Sequence, residues 1–375
     1  MHSTPRQSTP DQEAGSRAFK SKIKDVAEEA GVSVATVSRV VNGSCAYIAP
    51  STRARVEKAI EQLHYAPNSL IRSLQSGRTN TIVFTSLYNL LLNRDEFELE
   101  ILTELCRAMQ PRGYDVLIPA GSLNSSGVIR VSSLLDGRCD GVIVECPSRT
   151  PILDALAQQG FPTVVLWNRD VPAGVGSVQV DNSRGTQEAL DHLIELGHRR
   201  IAHLAGPLKN WDEAKWRKDE YVRALERAGI QYDKLLVQPS GGSETWDADV
   251  DKVLAALKTW TGLSDPPTAV FCASDRLASA LVLASAQTGV KIPGDLSVIG
   301  YDDLPLAART VPPLTSVKVP LDKVAEAAAA MLSEIIEDRL SAKRVTGTGK
   351  PTAARTQIVK PELGIRGSTG VPRGK

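Results

Sequence analysis

Val32-Ser-Val-Ala-Thr-Val-Ser-Arg-Val-Val-Asn42 follows directly on Ile23-Lys-Asp-Val-Ala-Glu-Glu-Ala-Gly31, and the pair reads as helix, glycine turn, helix. Ile23, Val26, Ala27 and Ala30 recur at helical spacing and make one apolar face. Gly31 supplies the backbone freedom of a tight turn, and Ser33 is placed to cap the second helix by accepting from the amide of Thr36. Val37, Val40 and Val41 pack back onto the first helix, which leaves Val34, Ala35, Ser38 and Arg39 outside. That outer face is small at its start and carries a long bidentate donor one turn later, the profile of a helix lying in a DNA major groove. A hairpin buried in a core would have no use for Ser33, Thr36, Ser38, Arg39 and Asn42 together on its outside.

The same run closely resembles the headpiece of the lactose-repressor (LacI/GalR) family of transcription regulators, and the match is dense over more than twenty residues. The resemblance implies that Ser33, Val34, Ala35, Thr36, Ser38, Arg39 and Asn42 meet DNA. Pro67-Asn-Ser-Leu-Ile-Arg-Ser-Leu74 is similar to the family's hinge segment, helical only on cognate DNA. It adds Asn68, Arg72 and Leu74, the leucine that two subunits wedge into the minor groove at the operator centre. An apolar wedge trades unstacking cost for a kinked duplex that contacts more protein. Lys22 stands where a capping threonine is common, Ala49 replaces a serine cap, and Ile71 replaces an alanine.

The chain has 375 residues, 42% hydrophobic and 23% charged, the make-up of an ordinary soluble globular protein long enough for several domains. Its net charge of +1 hides an asymmetry. From Lys20 to Arg78 nine basic side chains stand against five acidic ones, a modest footprint for phosphates. Five cysteines (Cys45, Cys106, Cys139, Cys146 and Cys272) lack paired or metal-ligand spacing and read as reduced. There is no signal-peptide run at the N-terminus and no stretch fit to span a bilayer, so a cytoplasmic protein is expected.

Residues 1–20 have the composition of a disordered tail. Residues 21–66 form the headpiece, closed by a third helix from Pro50 with Val56, Ile60 and Leu63 as its stripe, and 67–78 the hinge and linker. From Thr81 short apolar strands alternate with amphipathic helices, which argues for parallel sheets with helices on both faces. The strands read from the pattern start near Thr81, Tyr114, Gly141, Pro162, Arg200, Thr268, Leu296 and Thr315. The unit is too long for one sheet. A bend near Val180-Asp181-Asn182, with returns near Thr315 and Ser341, divides it into lobe 1 (about 79–180 and 317–341) and lobe 2 (about 181–316 and 342–370). The segments from Asp191, Ser297, Pro312 and Pro361 are similar to family signatures. The fold class expected is therefore a small all-α helix-turn-helix headpiece plus an α/β, two-lobed, periplasmic-binding-protein-like core.

Ligands of open α/β sheets sit beyond the carboxyl ends of strands. There the resemblance assigns Asn168, Arg217, Ser274 and Asp302 to a small effector, with Asn168 and Ser274 departing from a common aspartate and asparagine, and Ser86, Tyr88 and Trp246 are further effector candidates. Arg217 and Asp302 would face one polyhydroxylated effector across the cleft. Tyr88, Phe97, Trp167, Trp211, Trp216 and Trp246 are candidates for an apolar wall, since an aromatic face stacks on a sugar ring. No cofactor motif stands out: His198 and His203 are not spaced as a metal pair, the glycines Gly174 and Gly176 make no phosphate loop, and there is no nucleophile elbow.

The resulting expectation is a homodimeric transcription regulator, most simply a repressor. It would bind a palindromic operator under control of a small effector, a sugar or sugar derivative. Two rivals are open: the same fold answering to a nucleobase or a partner protein, and a solute-binding protein of a transporter. The latter would need a signal peptide and would have no use for residues 22–78.

Overall fold

In the computed structural model, the residues described are 21–41, 47–66, 73, 77–86, 96–119, 130–146, 148–209, 211–239, 246, 248–346 and 355–373. The chain divides into two compact units, residues 1–78 and 79–375.

Among its described residues the first unit holds the helices α1 (Ile23–Ala30), α2 (Val34–Val41) and α3 (Pro50–Gln62). Lys22 has no capping side chain, and the start of α1 is instead closed by Asp25, which accepts from the Lys22 amide at 2.7 Å. Gly31 ends α1 at φ 62, and its N–H returns to the carbonyls of Ala27 and Glu28. Ser33 caps α2 as read, accepting from the Thr36 amide at 3.2 Å. Ala49 gives α3 no side-chain cap, and Pro50 occupies the first turn, where a missing N–H costs nothing. Val26, Ala27, Ala30, Val37, Val40, Val56 and Ala59 form the core, while Ile60 and Leu63, expected in the stripe beside Val56, are only partly buried against it.

The second unit carries two six-stranded sheets. The strands of the first are β1 (Thr81–Ser86), β2 (Asp115–Leu117), β3 (Gly141–Glu145), β4 (Thr163–Leu166), β5 (Gly176–Val180) and β11 (Arg355–Val359), all parallel in the order β11-β5-β4-β3-β1-β2. The second sheet holds β6 (Ile201–Ala205), β7 (Val237–Pro239), β8 (Ala269–Cys272), β9 (Ser297–Asp302), β10 (Thr315–Lys318) and β12 (Glu362–Gly364). Its order is β12-β10-β9-β8-β6-β7, with only β12 antiparallel. Strands such as Gly-Val-Ile-Val-Glu are buried along their whole length, as parallel strands covered on both faces must be.

The helices that matter below are α4 (Glu96–Met109), α5 (Val131–Leu134) and α6 (Pro151–Gln158) in the first lobe. In the second they are α7 (Asn182–Glu195), α8 (Asp212–Arg227), α9 (Val250–Thr261) and α10 (Asp275–Thr288). The long α11 (Leu321–Thr346) packs on β3, β4, β5 and β11. The chain thus passes between sheets after β5, after β10 and after β11. The last return differs from the expected position near residue 342: β11 pairs with β5 in the first sheet, so the chain leaves that lobe only after Val359. Among the described residues no helix is long and apolar enough to cross a membrane.

Candidate functional site

In the headpiece, Val34, Ala35 and Arg39 are exposed on one face of α2, with Thr36 and Ser38 half-buried beside them and Val37 and Val40 turned into the core. The Ser33 and Thr36 hydroxyls lie 2.9 Å apart at the helix start. This is the outward face read from the sequence, held by a cap and a three-helix core. Asn42, Asn68, Arg72 and Leu74 lie outside the described residues.

In the core unit, register sets Ser86 beside Glu145 and Glu145 beside Leu166, so the carboxyl ends of β1, β3 and β4 form one row. The carboxyl ends of β8 and β9 present Ser274 and Asp302 from the other sheet. Between them lies a cleft. Four aromatic residues line it in two pairs. Phe97 and Trp167 come from the first lobe, with ring centres 5.4 Å apart; Trp211 and Trp246 come from the second, edge to face at 5.9 Å. Trp246 lies so close over Gly206 that a Cβ there would fall 2.2 Å from the indole, which is why the position carries no side chain. Trp216, expected in the same wall, instead stacks under the Arg169 guanidinium at 4.5 Å and is absent from the lining.

Arg217 is the most elaborately held residue of the cleft. Its Nε donates to Asn182 Oδ1 at 2.9 Å, one Nη donates to the Ala273 carbonyl, and the other lies 3.6 Å from Asp302 Oδ1. The guanidinium also sits 3.6 Å above the Tyr301 ring. Arg217 and Asp302 both belong to the second lobe, pair with each other, and line the cleft from that side. Asp302 holds φ 104 and Trp167 φ 72, left-handed conformations that cluster at ligand sites because the surrounding structure must enforce them. Behind Asp302, fully buried Asp275 accepts from the Leu304 amide at 2.7 Å and from Ser316 Oγ at 2.5 Å. Burial first, and then the charge of Asp302, pushes the Asp275 carboxyl well above the usual range.

Of the expected effector residues, Ser86, Arg217, Trp246, Ser274 and Asp302 line the cleft. Tyr88 lies outside the described residues. Asn168 does not line it: Oδ1 accepts from the Asp170 amide, and the backbone carbonyl accepts from Ser177 Oγ and Gln179 Nε2. Ser274 spends its hydroxyl as the cap of α10, accepting from the Leu277 amide at 3.3 Å. His198 and His203 are structural. The first bonds Thr268, Ser297 and the Gly370 carbonyl; the second stacks between Tyr221 and Phe271, and burial lowers its pKa to about 4. Among the described residues no group of three metal-binding side chains is assembled.

The carboxylates were missed in the sequence. Glu98 of α4, Glu145 of β3 and Glu213 of α8 line the cleft and are almost wholly buried. Glu145 accepts from the Trp167 indole N–H at 2.7 Å. The Glu213 carboxyl is pushed up to about 8, chiefly by burial, with Asp212 and Glu145 adding and Arg217 opposing. An unfolded chain releases that proton near 4.5, the folded one near 8, and each pKa unit corresponds to about 1.4 kcal/mol. Because the folded pKa is raised, stability from this group falls as pH rises through that window. Glu213→Gln removes the titration, so the variant is expected to melt several degrees above wild type near pH 8 but not near pH 4.5. Parallel melting curves at both pH values check it.

Residues 22–68 match the model of bacterial regulatory proteins of the lacI family, and residues 190–369 match a periplasmic binding protein-like domain. The chain is 33% identical over 356 residues to the transcriptional regulator CelR of Thermobifida fusca, covering 92% of this chain and 97% of the relative. It is likewise 33% identical over 337 residues to the transcriptional repressor PurR of Vibrio atlanticus, covering 86% and 94%. The chain belongs to the lacI family. Its fold is matched at TM-score 0.64 and 30% identity by a CelR–cellobiose complex, and at TM-score 0.75 and 25% identity by the Lac repressor dimer bound to operator and the anti-inducer ONPF. Each match covers 93% of this chain and 99% of the other. As a lacI-family member it is a DNA-binding transcription regulator and not an enzyme.

Proposed function

We propose that the protein is a homodimeric repressor that reads a palindromic operator in the cytoplasm and whose operator affinity is set by a carbohydrate in the core cleft. The observation that carries the effector class is the pair of aromatic couples, one per lobe, beside a rim of carboxylates and Arg217. Aromatic faces suit the apolar faces of pyranose rings, and the charged rim suits hydroxyls that both donate and accept. The likeness to a cellobiose-binding regulator supports the same class and a ligand of disaccharide size. The aromatic couples would also accept a planar nucleobase, and the likeness to PurR keeps that second reading in the test.

On the DNA side, Arg39 would read a guanine edge from the exposed face of α2, with Val34 and Ala35 against neighbouring base edges or thymine methyls. Ser33, Thr36, Ser38, Asn42, Asn68 and Arg72 would position the backbone, and Leu74 would wedge the operator centre. A ligand couples to this only through different affinities for two arrangements of the lobes.

Calorimetric titration of the full chain with disaccharides and with purine bases tests the effector class. A disaccharide is expected to bind, and Trp246→Ala to weaken it about tenfold or more, equivalent to about 1.4 kcal/mol. Binding of a purine base alone would replace the carbohydrate reading with the nucleobase one.

A further inference from the structure

Resting on the carbohydrate reading, we propose that the effector carries a positively charged nitrogen, an ammonium on a saccharide, gripped by Glu213 from the second lobe and Glu145 from the first. Glu213 is 7% exposed, and both of its carboxylate oxygens are buried without a hydrogen-bond partner although the residue lines the cleft. A buried carboxylate in that condition costs free energy unless a partner arrives. The neighbouring cation does not serve it: Arg217 is spent on Asn182, the Ala273 carbonyl, Asp302 and the Tyr301 ring.

Charge balance points the same way. The groups lining the cleft with Glu213 are Glu98 from α4, Glu145 from β3, Asp302 from β9, Arg276 from α10 and Arg217 from its own helix. Among the described residues that is four acidic groups against two guanidiniums. Glu145 and Glu213 stand on opposite lobes yet are near enough for each to disfavour the other's charge. A cation between them would relieve that repulsion and favour the closed arrangement of the lobes. Four aromatic residues around the same space add their ring faces, which attract cations. A neutral sugar would satisfy hydroxyl contacts but leave the buried Glu213 carboxyl without a charged partner. The raised Glu213 carboxyl fits this picture, since an arriving ammonium would drive its proton out.

The test compares two sugars that differ only at C2: the β-1,4 disaccharide of glucosamine, and cellobiose. Both are titrated into the full chain by calorimetry at about pH 6, where sugar amines are protonated. The amino disaccharide is expected to bind wild type at least about tenfold tighter. In Glu213→Gln, and in Glu145→Gln, whose amide oxygen can still accept from Trp167, the two sugars are expected to bind alike. Melting curves confirm that each variant is folded. Cellobiose binding as tightly as the amino sugar, or a preference unchanged in both variants, would overturn the cation while leaving the carbohydrate reading intact. Silence toward both sugars in wild type would overturn the two together.

Discussion

Arg217→Ala is expected to abolish the response to effector and to destabilise the core by about 3–5 kcal/mol, because removing one member of a buried charged pair strands the other. Asp302, whose side chain is only 11% exposed, loses its cation, and the Asn182 amide oxygen and the Ala273 carbonyl lose their donors. The platform over Tyr301 goes with them. Arg217→Lys separates the causes. A lysine keeps the charge near Asp302 but cannot serve three acceptors from one rigid fork. It should recover much of the stability and little of the binding. Thermal denaturation and calorimetry on the same samples give both numbers, and full effector binding by Arg217→Ala would place the ligand elsewhere.

Val37→Asp should eliminate operator binding altogether. Val37 is fully buried among Val26, Ala30, Val40 and Val56, and a unit this small has little stability to spare for an unpaired carboxylate in its centre. The two aromatic couples and Arg217 belong to the other compact unit, so the full-length variant should bind effector as wild type does. Fluorescence anisotropy on labelled DNA and calorimetry on effector check the two halves. Retained specific DNA binding would mean that α1–α3 are not the reading unit.

The headpiece was legible because its chemistry is local. A cap, a glycine at the turn and valines at helical spacing need no distant partner to be recognised. The strongly apolar strands were legible for the same reason. β5 and β11 were not, since Gly-Ser-Val-Gln-Val and Arg-Thr-Gln-Ile-Val are short and half polar, and it is pairing in the sheet, β5 with β4 and β11 with β5, that makes them strands. Missing β11 is what put the last lobe crossing too early. In the cleft, the rule that ligands gather beyond strand ends found Ser86, Ser274 and Asp302. Asn168, which the resemblance also offered, follows the left-handed Trp167 and does not line the cleft; its Oδ1 accepts from the Asp170 amide. Glu98 and Glu213 stand on amphipathic helices, where an acid gives no local sign of burial. Nothing in one sequence shows that the fold buries them beside the cleft.

The most direct measurement is sequencing of the duplexes that the full chain selects from a random pool, run in parallel with Arg39→Ala. Wild type is expected to enrich an inverted repeat. Arg39→Ala should keep the repeat but lose preference at one symmetric position, with binding weakened by about 1–3 kcal/mol per contact. No enriched repeat, or the same base preferences in both proteins, would contradict the assignment of the Arg39 face as the surface that reads the operator.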